Sequence, residues 1–568
     1  MEKELESQIR KWALQNAFRY EGKANPGTVI GKLLAEKPEL RDQLKTLAKE
    51  VSTIVAAVNG MTPDDQKKEL EETAPELLIV KHEKQEHVLK ELPNAVQGKV
   101  VMRMAPSPSG PLHIGHAFVT NLNSEYCRKY DGAMILRIED TNPENIYAPA
   151  YKMLEEDAQW LTKNNVKKVI VQSDRLHTYY DYAEKLVGMG KAYICTCNPD
   201  IFRELMQRKT ACPCRELPLK EHQSRWDKMF NGFEPGQAVM RIKTDVADPN
   251  PAMRDWPAMR INHHTHPKTG TTEKVWPLMN FSVAIDDHEL GVTHTIRGKD
   301  HKDNEKRQRH IFDAMGWKTP THLYVGRINF EDFEVSTTQT RLAIEQGKYS
   351  GWDDIRLPFL LALRRRGYQP ETFIQWALDM GLGENDKTVS REEFFKSIDA
   401  HNRKLLEPIA NRYFFICNPV EVRVIGAPKQ TVELELHPDH HDRGKRKLEV
   451  GETFYFAKDD VEAIKDGMVN RLMECGNFVK TGNDFTFHSR EVEKFREKPG
   501  GRIMHWLPIS DELVKVEVLM PDNSKRLGFG EPAMKQLKEG DMVQLERFGF
   551  VRLDAKRGDK LSFWFTHK

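Results

Sequence analysis

The segment Arg103-Met104-Ala105-Pro106-Ser107-Pro108-Ser109-Gly110-Pro111-Leu112-His113-Ile114-Gly115-His116 constrains this chain more than any other. Three prolines and a glycine make a stiff loop, and the loop carries two imidazoles, three positions apart, to the start of a helix. Before it, Val100 to Met104 reads as a short strand. After it, a helix opens near Gly115 and a further strand covers Ala133 to Ile138. Strand, loop and helix in that order begin an α/β domain. The arrangement suits a triphosphate. A helix N-terminus offers free backbone N–H groups and partial positive charge, and Gly115 lets a nucleotide approach the backbone. His113 and His116 can then donate to phosphate oxygens as charge grows in the transition state. Histidines at this spacing are more often a structural pair or half of a metal site, but the rigid loop and the strand before it reverse that weighting.

The chain has 568 residues, enough at ~150 per domain for about four domains and several cores. Charged residues make up 30% and no apolar run approaches the ~18 residues that span a bilayer, which excludes an integral membrane protein. The opening Met1-Glu2-Lys3-Glu4-Leu5-Glu6 lacks the basic region and apolar stretch of a signal peptide, so a cytoplasmic location is expected. Lys and Arg number 86 against 85 Asp and Glu, a balance that leaves any argument for a polyanionic partner to local segments.

Four of the seven cysteines, Cys195, Cys197, Cys212 and Cys214, crowd into one segment. Two tight pairs of thiols can close a tetrahedral Zn²⁺ site whose binding free energy would fold a loop with little core of its own. A structural zinc is expected, with reduced free thiols as the alternative. Catalytic zinc is not, because all four positions would be filled. Around the cluster, prolines and aromatics interrupt the α/β pattern from about Lys191 to Met279, which reads as an insertion. Helical periodicity marks the first hundred residues: Leu5, Ile9, Trp12 and Leu14 share a face, a second helical stretch lies around Leu33, Leu34 and Leu47, and Thr62-Pro63-Asp64-Asp65 starts a third. Beyond His401, period-two runs such as Val514-Lys515-Val516-Glu517-Val518 point to β-barrels.

The loop resembles the HIGH signature of class I aminoacyl-tRNA synthetases, and the block Arg103 to His116 is similar to their glutamyl and glutaminyl branch. Leu136-Arg137-Ile138-Glu139-Asp140-Thr141-Asn142-Pro143 and the run from Asp286 to His301 carry the same resemblance. It implies ATP with Mg²⁺ as a substrate complex, tRNA as partner and glutamate as amino acid. Two guanidinium groups, Arg103 and Arg297, are implied on the γ-carboxylate side, with Glu139 and Ser107 near the α-ammonium. A buried dicarboxylic amino acid requires such cations, since an unpaired buried charge is costly. Glutaminyl enzymes typically lack an arginine at the position of Arg297 and carry Asp at that of Glu139.

Two departures from the family pattern stand out. Met279 occupies a position where the family has a tyrosine. In the second signature, a mobile nucleotide loop matched here by Val335-Ser336-Thr337-Thr338-Gln339-Thr340-Arg341, the neutral Gln339 stands where a lysine is expected. Ser336, Thr337 and Thr338 can still reach phosphate oxygens, and Arg341 or Lys299 could supply the missing charge.

The fold expected is α/β multidomain: a split Rossmann-like catalytic domain with a zinc-containing insertion, an N-terminal helical domain and C-terminal β-barrels. The divisions are 1–98 for the helical appendage, 99–190 for the first catalytic half, 191–279 for an acceptor-binding insertion, 280–345 for the second half with the nucleotide loop, 346–405 for a helical connection and 406–568 for a β-barrel anticodon-binding domain. Basic segments at Lys299 to Arg309, Arg364-Arg365-Arg366 and Arg443 to Lys447 suit tRNA phosphates. The function expected is ATP-dependent activation of glutamate and its transfer to tRNA, with the glutamine tRNA left open as a second acceptor. A glutaminyl enzyme and an inactive tRNA-binding paralogue are the alternatives, and a nucleotidyltransferase sharing only the two-histidine motif is more remote.

Overall fold

A computed structural model describes residues 3–19, 22–37, 40, 44–77, 89–332, 335–497 and 500–568. It divides into two compact units, Met1–Glu86 and His87–Lys568.

The first unit contains α1 (Lys3–Arg19), α2 (Pro26–Glu36), α3 (Leu44–Asn59) and α4 (Pro63–Thr73). Apolar residues at helical spacing, among them Ile9, Leu14, Val29, Leu33, Val51, Val58 and Leu70, form its core. Asn25 caps α2 by accepting the Gly27 and Thr28 N–H groups, and Thr62 caps α4 through the Asp65 N–H. The stretch read as one helical segment around Leu33 and Leu47 is two helices, since α2 ends at Glu36 and α3 begins at Leu44.

In the second unit, β1 (Val101–Met104), β2 (Ala133–Ile138) and β3 (Val166–Val171) form a parallel sheet in that order, linked through α5 (Ile114–Lys129) and α6 (Ala150–Leu161). The chain then passes α7 (Leu176–Gly188) into a four-stranded antiparallel sheet of β4 (Ala192–Cys195), β5 (Val239–Ile242), β6 (Pro257–Ile261) and β7 (Val275–Pro277). Helices α8 (Pro199–Gln207) and α9 (Leu219–Asn231) lie between the first two of these strands. α10 (Met279–Glu289) leads back to β8 (His294–Gly298), and α11 (Lys302–Met315) connects that strand to its parallel neighbour β9 (Thr321–Val325).

β8 lies beside β1: the Thr293 N–H donates to Val101 O at 2.9 Å and the Thr293 hydroxyl accepts from Val101 N at 2.9 Å. The chain thus winds one way from β1 to β2 and β3 and the other way from β8 to β9. The crevice past the carboxyl ends of β1 and β8 is a topological switch point, where open α/β sheets bind ligands. The core beneath is apolar, with Met102, Leu122, Met134, Leu136, Leu154 and Ile296 buried.

α12 (Thr337–Glu345), α13 (Leu360–Arg366), α14 (Pro370–Met380) and α15 (Arg391–Leu406) follow. The β-rich tail forms two seven-stranded sheets, one built around Pro419–Ile425 and Gly476–Thr481, the other around Val514–Leu519 and Lys560–His567. In the second, Val514, Val516 and Val518 are buried and alternate with the more exposed Lys515 and Glu517, as period-two patterning requires. Its last strand is fastened to α13, where Arg366 Nη2 donates to Thr566 O at 2.9 Å.

Candidate active site

The proline-rich loop leaves β1 and is held along its length. Pro106 O accepts the Glu139 N–H at 2.9 Å and Pro108 O accepts the Tyr147 N–H at 2.8 Å. The Leu112 N–H donates to Asp157 Oδ2 on α6 at 2.9 Å, and Leu112 O accepts from Leu360 N at 3.0 Å. A Cβ on Gly110 would stand 2.9 Å from the Trp352 ring and 3.2 Å from Thr337, so only glycine permits the loop to press against the start of α12.

His113 caps α5. Its Nδ1 accepts the Gly115 N–H at 3.1 Å, while His116 Nδ1 accepts the His113 N–H at 3.3 Å, and the rings stack with centroids 3.8 Å apart. Each Nδ1 faces a backbone donor, so in each neutral imidazole the proton sits on Nε2. Burial drives the His113 pKa well below its ordinary value, with His116 beside it adding to the effect, and burial brings His116 down to about 4. Both rings are therefore neutral Nε2–H donors at physiological pH. Gly115 has a reason beyond nucleotide access: a Cβ there would meet the His113 ring at 2.9 Å.

A cavity of about 190 Å³ opens at the switch point, lined by Arg103, Gly115, His116, Glu139, Met279 and Arg297 among others. Arg103 and Arg137 converge on Asp287. Arg103 Nε and Nη2 reach its two oxygens at 3.1 and 3.2 Å, and Arg137 Nη1 reaches Oδ1 at 2.6 Å. Burial pushes the Asp287 pKa up, but the two guanidinium groups outweigh it and hold the carboxyl well below the usual range. Arg137 also donates from Nη2 to Glu139 Oε1 at 2.9 Å, which fixes Glu139 at the cavity wall. A second carboxylate, Asp286, receives Arg175, Gln172 and Tyr179, each at 2.8 Å.

Arg297 differs from these arginines. It is 8% exposed, and its guanidinium donates to Gln308 Oε1, at 3.1 and 3.2 Å, and to His322 Nδ1 at 3.0 Å, with the neutral Tyr324 hydroxyl also beside it. No carboxylate pairs with it among the described residues, and burial, with Arg103 nearby, lowers its pKa to about 10. A buried cation with neutral partners on a cavity wall has the charge and the open side to pair with an anion.

The remaining sequence-identified residues are placed as follows. Ser107 lies on the exposed side of the loop, outside the cavity lining. Ser336 caps α12, its hydroxyl accepting the Gln339 N–H at 3.3 Å, and Thr337 Oγ1 is 2.9 Å from Ser109 Oγ. The Ser336–Arg341 segment is thus joined to the histidine loop. Thr338 is exposed, and Arg341 stands 3.9 Å from Glu345 one turn along. Gln339 faces a separate cleft with Tyr349 and Arg356, and Lys299 pairs with Asp386 at 2.8 Å. Met279 is 38% exposed and gives the cavity an apolar wall with Val283 and Ile296.

Asp287, Asp157, Gln308 and His322 carried no role in the sequence reading. Asp287 stood in a quoted segment, but its task depends on arginines that only the fold brings near. The basic segments are largely neutralised: Lys302 pairs with Glu384, Lys306 with Asp303, Arg365 with Asp554, Lys447 with Glu433, and the buried Arg446 with Glu531. These pairings offset part of their charge within the chain, while Lys302, Lys306 and Lys447 stay exposed.

The four cysteine sulfurs all lie within 4.8 Å of one another, with Cys195 and Cys212 3.9 Å apart and Cys197 and Cys214 3.6 Å apart. Four thiolates about 2.3 Å from a tetrahedral Zn²⁺ would be roughly 3.8 Å from each other, so this donor set fits that ion. Arg225 Nη1, 3.3 Å from Cys214 Sγ, and Tyr193 Oη, 3.4 Å from Cys212 Sγ, would offset the charge of such a centre.

The family profile described as "tRNA synthetases class I (E and Q), catalytic domain" matches residues 99–408, and two profiles for the anticodon-binding domain of the same group match 410–496 and 503–554. Among curated relatives named glutamate–tRNA ligase, that of Methanobrevibacter smithii is 44% identical over 567 residues, 100% of each chain. That of Pyrococcus furiosus is 45% identical over 584 residues, again 100% of each, and that of Methanocaldococcus jannaschii is 42% identical over 568, covering 99% of this chain and 100% of the relative.

Proposed function

From the premise that the chain belongs to the class I tRNA synthetases of the glutamate and glutamine group, we infer a glutamate–tRNA ligase whose switch-point cavity receives glutamate beside ATP. The α-carboxylate of glutamate attacks the α-phosphorus of ATP and pyrophosphate leaves. A terminal ribose hydroxyl of tRNA then takes the glutamyl group from the adenylate, releasing AMP. No covalent intermediate with the chain is required, so its contribution is positioning and electrostatics.

The observation that carries this reading is Arg297, a buried guanidinium with neutral partners on the cavity wall. We assign it to the γ-carboxylate. Arg103 keeps Nη1 without a partner among the described residues and lines the same cavity, so it adds positive potential while anchored on Asp287. Glu139, oriented by Arg137, is assigned to the α-ammonium. The Nε2–H groups of His113 and His116, with the N-terminus of α5, are assigned to the phosphates. Ser336, Thr337, Thr338 and Arg341 form the second wall of the nucleotide site, where the start of α12 supplies partial positive charge near the position the family gives to lysine. Bound to ATP as part of the substrate, Mg²⁺ would supply charge neutralisation for the departing pyrophosphate.

The cysteine cluster is assigned to a structural zinc that stabilises the insertion tip, and the anticodon-binding domains are the tRNA-reading part of the chain. No helix among the described residues is long and apolar enough to cross a membrane. Four neighbouring thiols suit the reducing cytoplasm, where the reading places the enzyme. ATP–pyrophosphate exchange with tRNA present, supplied with glutamate or glutamine in turn, tests the reading: exchange with glutamate is expected, and preference for glutamine would overturn it.

A further inference from the structure

The environment of Arg297 continues into a chain of amides whose direction is fixed by chemistry. A guanidinium has only donors, so the Gln308 atom facing Arg297 must be the oxygen, as found at 3.1 and 3.2 Å. That turns Gln308 Nε2 toward Asn280 Oδ1, 3.0 Å away. Asn280 Nδ2 in turn donates to Asn304 Oδ1 at 3.1 Å, and Asn304 Nδ2 lies 2.9 Å from His301 Nδ1. Every amide is oriented by the one before it, and the last donor makes His301 Nδ1 an acceptor. The proton of neutral His301 is then on Nε2. His301 lines the same cavity as Arg297, and its Nε2 is 3.8 Å from Asp300 Oδ2, beyond hydrogen-bond reach.

The scaffold explains why these residues meet. Asn304 and Gln308 lie one turn apart on a face of α11, and Asn280 reaches between them from the first turn of α10. Gln308 and Asn280 are buried at 2% and 7% exposure, where an amide with a mismatched neighbour costs free energy. The nearby carboxylates are engaged elsewhere: Asp287 holds Arg103 and Arg137, and Glu305 accepts from Arg309 and the Tyr324 hydroxyl.

We propose that Gln308, Asn280 and Asn304 form a one-way hydrogen-bond relay that leaves Arg297 without a carboxylate partner among the described residues and presents His301 as a second N–H donor, so that the pocket selects a carboxylate over a carboxamide. A substrate carboxylate offers two charged acceptor oxygens to these donors, whereas a carboxamide offers one neutral oxygen and an NH₂ that neither donor can accept. The three amides are positioning residues, and His301 is a specificity residue. The inference rests on the glutamate reading above and adds to it the means of discrimination.

Gln308→Glu places a carboxylate of the chain itself against Arg297. In ATP–pyrophosphate exchange with tRNA present, its preference for glutamate over glutamine in kcat/KM is expected to fall at least about tenfold, with KM for ATP little changed. Gln308→Met, close in size, guards against a folding failure of the first variant and is expected to raise KM for glutamate more than KM for ATP. In ¹⁵N-histidine spectra of the intact protein, His301, assigned by its loss in His301→Asn, is expected to carry its proton on Nε2, and Asn304→Leu should shift the His301 Nδ1 resonance as its hydrogen bond is lost. An unchanged glutamate-to-glutamine ratio in Gln308→Glu, or protonation of His301 on Nδ1 in the parent protein, would overturn the relay. The parent enzyme in the same assay separates the two readings, since failure to use glutamate at all would defeat the parent function, whereas normal use with unaltered selectivity in the variant defeats the relay alone.

Discussion

Ser109 Oγ and Thr337 Oγ1 lie 2.9 Å apart, although 228 positions separate the residues in sequence. One belongs to the histidine loop and the other to the first turn of α12, so this contact couples the two segments we assign to the nucleotide. A hydrogen bond of this kind contributes about 0.5–1.5 kcal/mol net. Thr337→Val should raise KM for ATP roughly two- to tenfold while KM for glutamate changes less, as steady-state exchange kinetics will show.

His113 and His116 are assigned as neutral donors to the phosphates, and removing one donor to developing charge should lower kcat by about 10²–10³. His116→Ala is expected to show that loss in pre-steady-state adenylate formation. The pH dependence has a definite sign. Both pKa values are depressed by burial, so the active neutral form persists as pH falls and protonation begins only as His116 approaches about 4. The rate of adenylate formation should show no histidine-dependent decline between roughly pH 8 and 6.

Asp157 anchors the loop at Leu112, and burial pushes its carboxyl up to about 7, with Arg364 pulling the other way and Glu156 adding to the rise. A carboxyl whose pKa is higher folded than unfolded favours the folded state at low pH, and that contribution is lost as pH rises through the folded value. Asp157→Asn keeps an acceptor for Leu112 and stays neutral. Relative to the parent, its stability in urea should increase progressively from about pH 4 to 7, by a few kcal/mol in total, and then level off. A gap that does not vary with pH would contradict the assignment.

The cysteine cluster predicts about one zinc per chain in fully reduced protein, by metal analysis. Cys214→Ser should lose the ion and destabilise the insertion around 195–214, visible as increased amide exchange there, while exchange in the β1–β3 sheet is unchanged. Reduced protein without zinc would reject the site.

What the sequence made legible was local. Prolines, glycine and the histidine pair located the loop and the start of α5 because those residues restrict the backbone wherever they occur. The strand at Ala133–Ile138 and the alternating Val514, Val516 and Val518 were visible for the same reason, since period and burial go together. Partners far along the chain were not legible. The anchoring of Arg103 on Asp287 spans 184 positions, and no spacing rule announces it. Arg446 looked like part of a basic patch until the fold placed Glu531 against it, 85 positions away. Gln308 is an ordinary polar residue on a helix, and only the approach of Arg297 gives its amide a direction.

The central claim is that Arg297 holds the side-chain carboxylate of the amino acid, and Arg297→Met tests it most directly. Loss of one partner from a buried charge pair costs about 3–5 kcal/mol, so KM for glutamate in ATP–pyrophosphate exchange should rise by about 10² or more. KM for ATP should stay within roughly threefold of the parent, because the phosphate contacts are assigned to other residues. Equal losses for both substrates, or glutamate use that survives the substitution, would contradict the account.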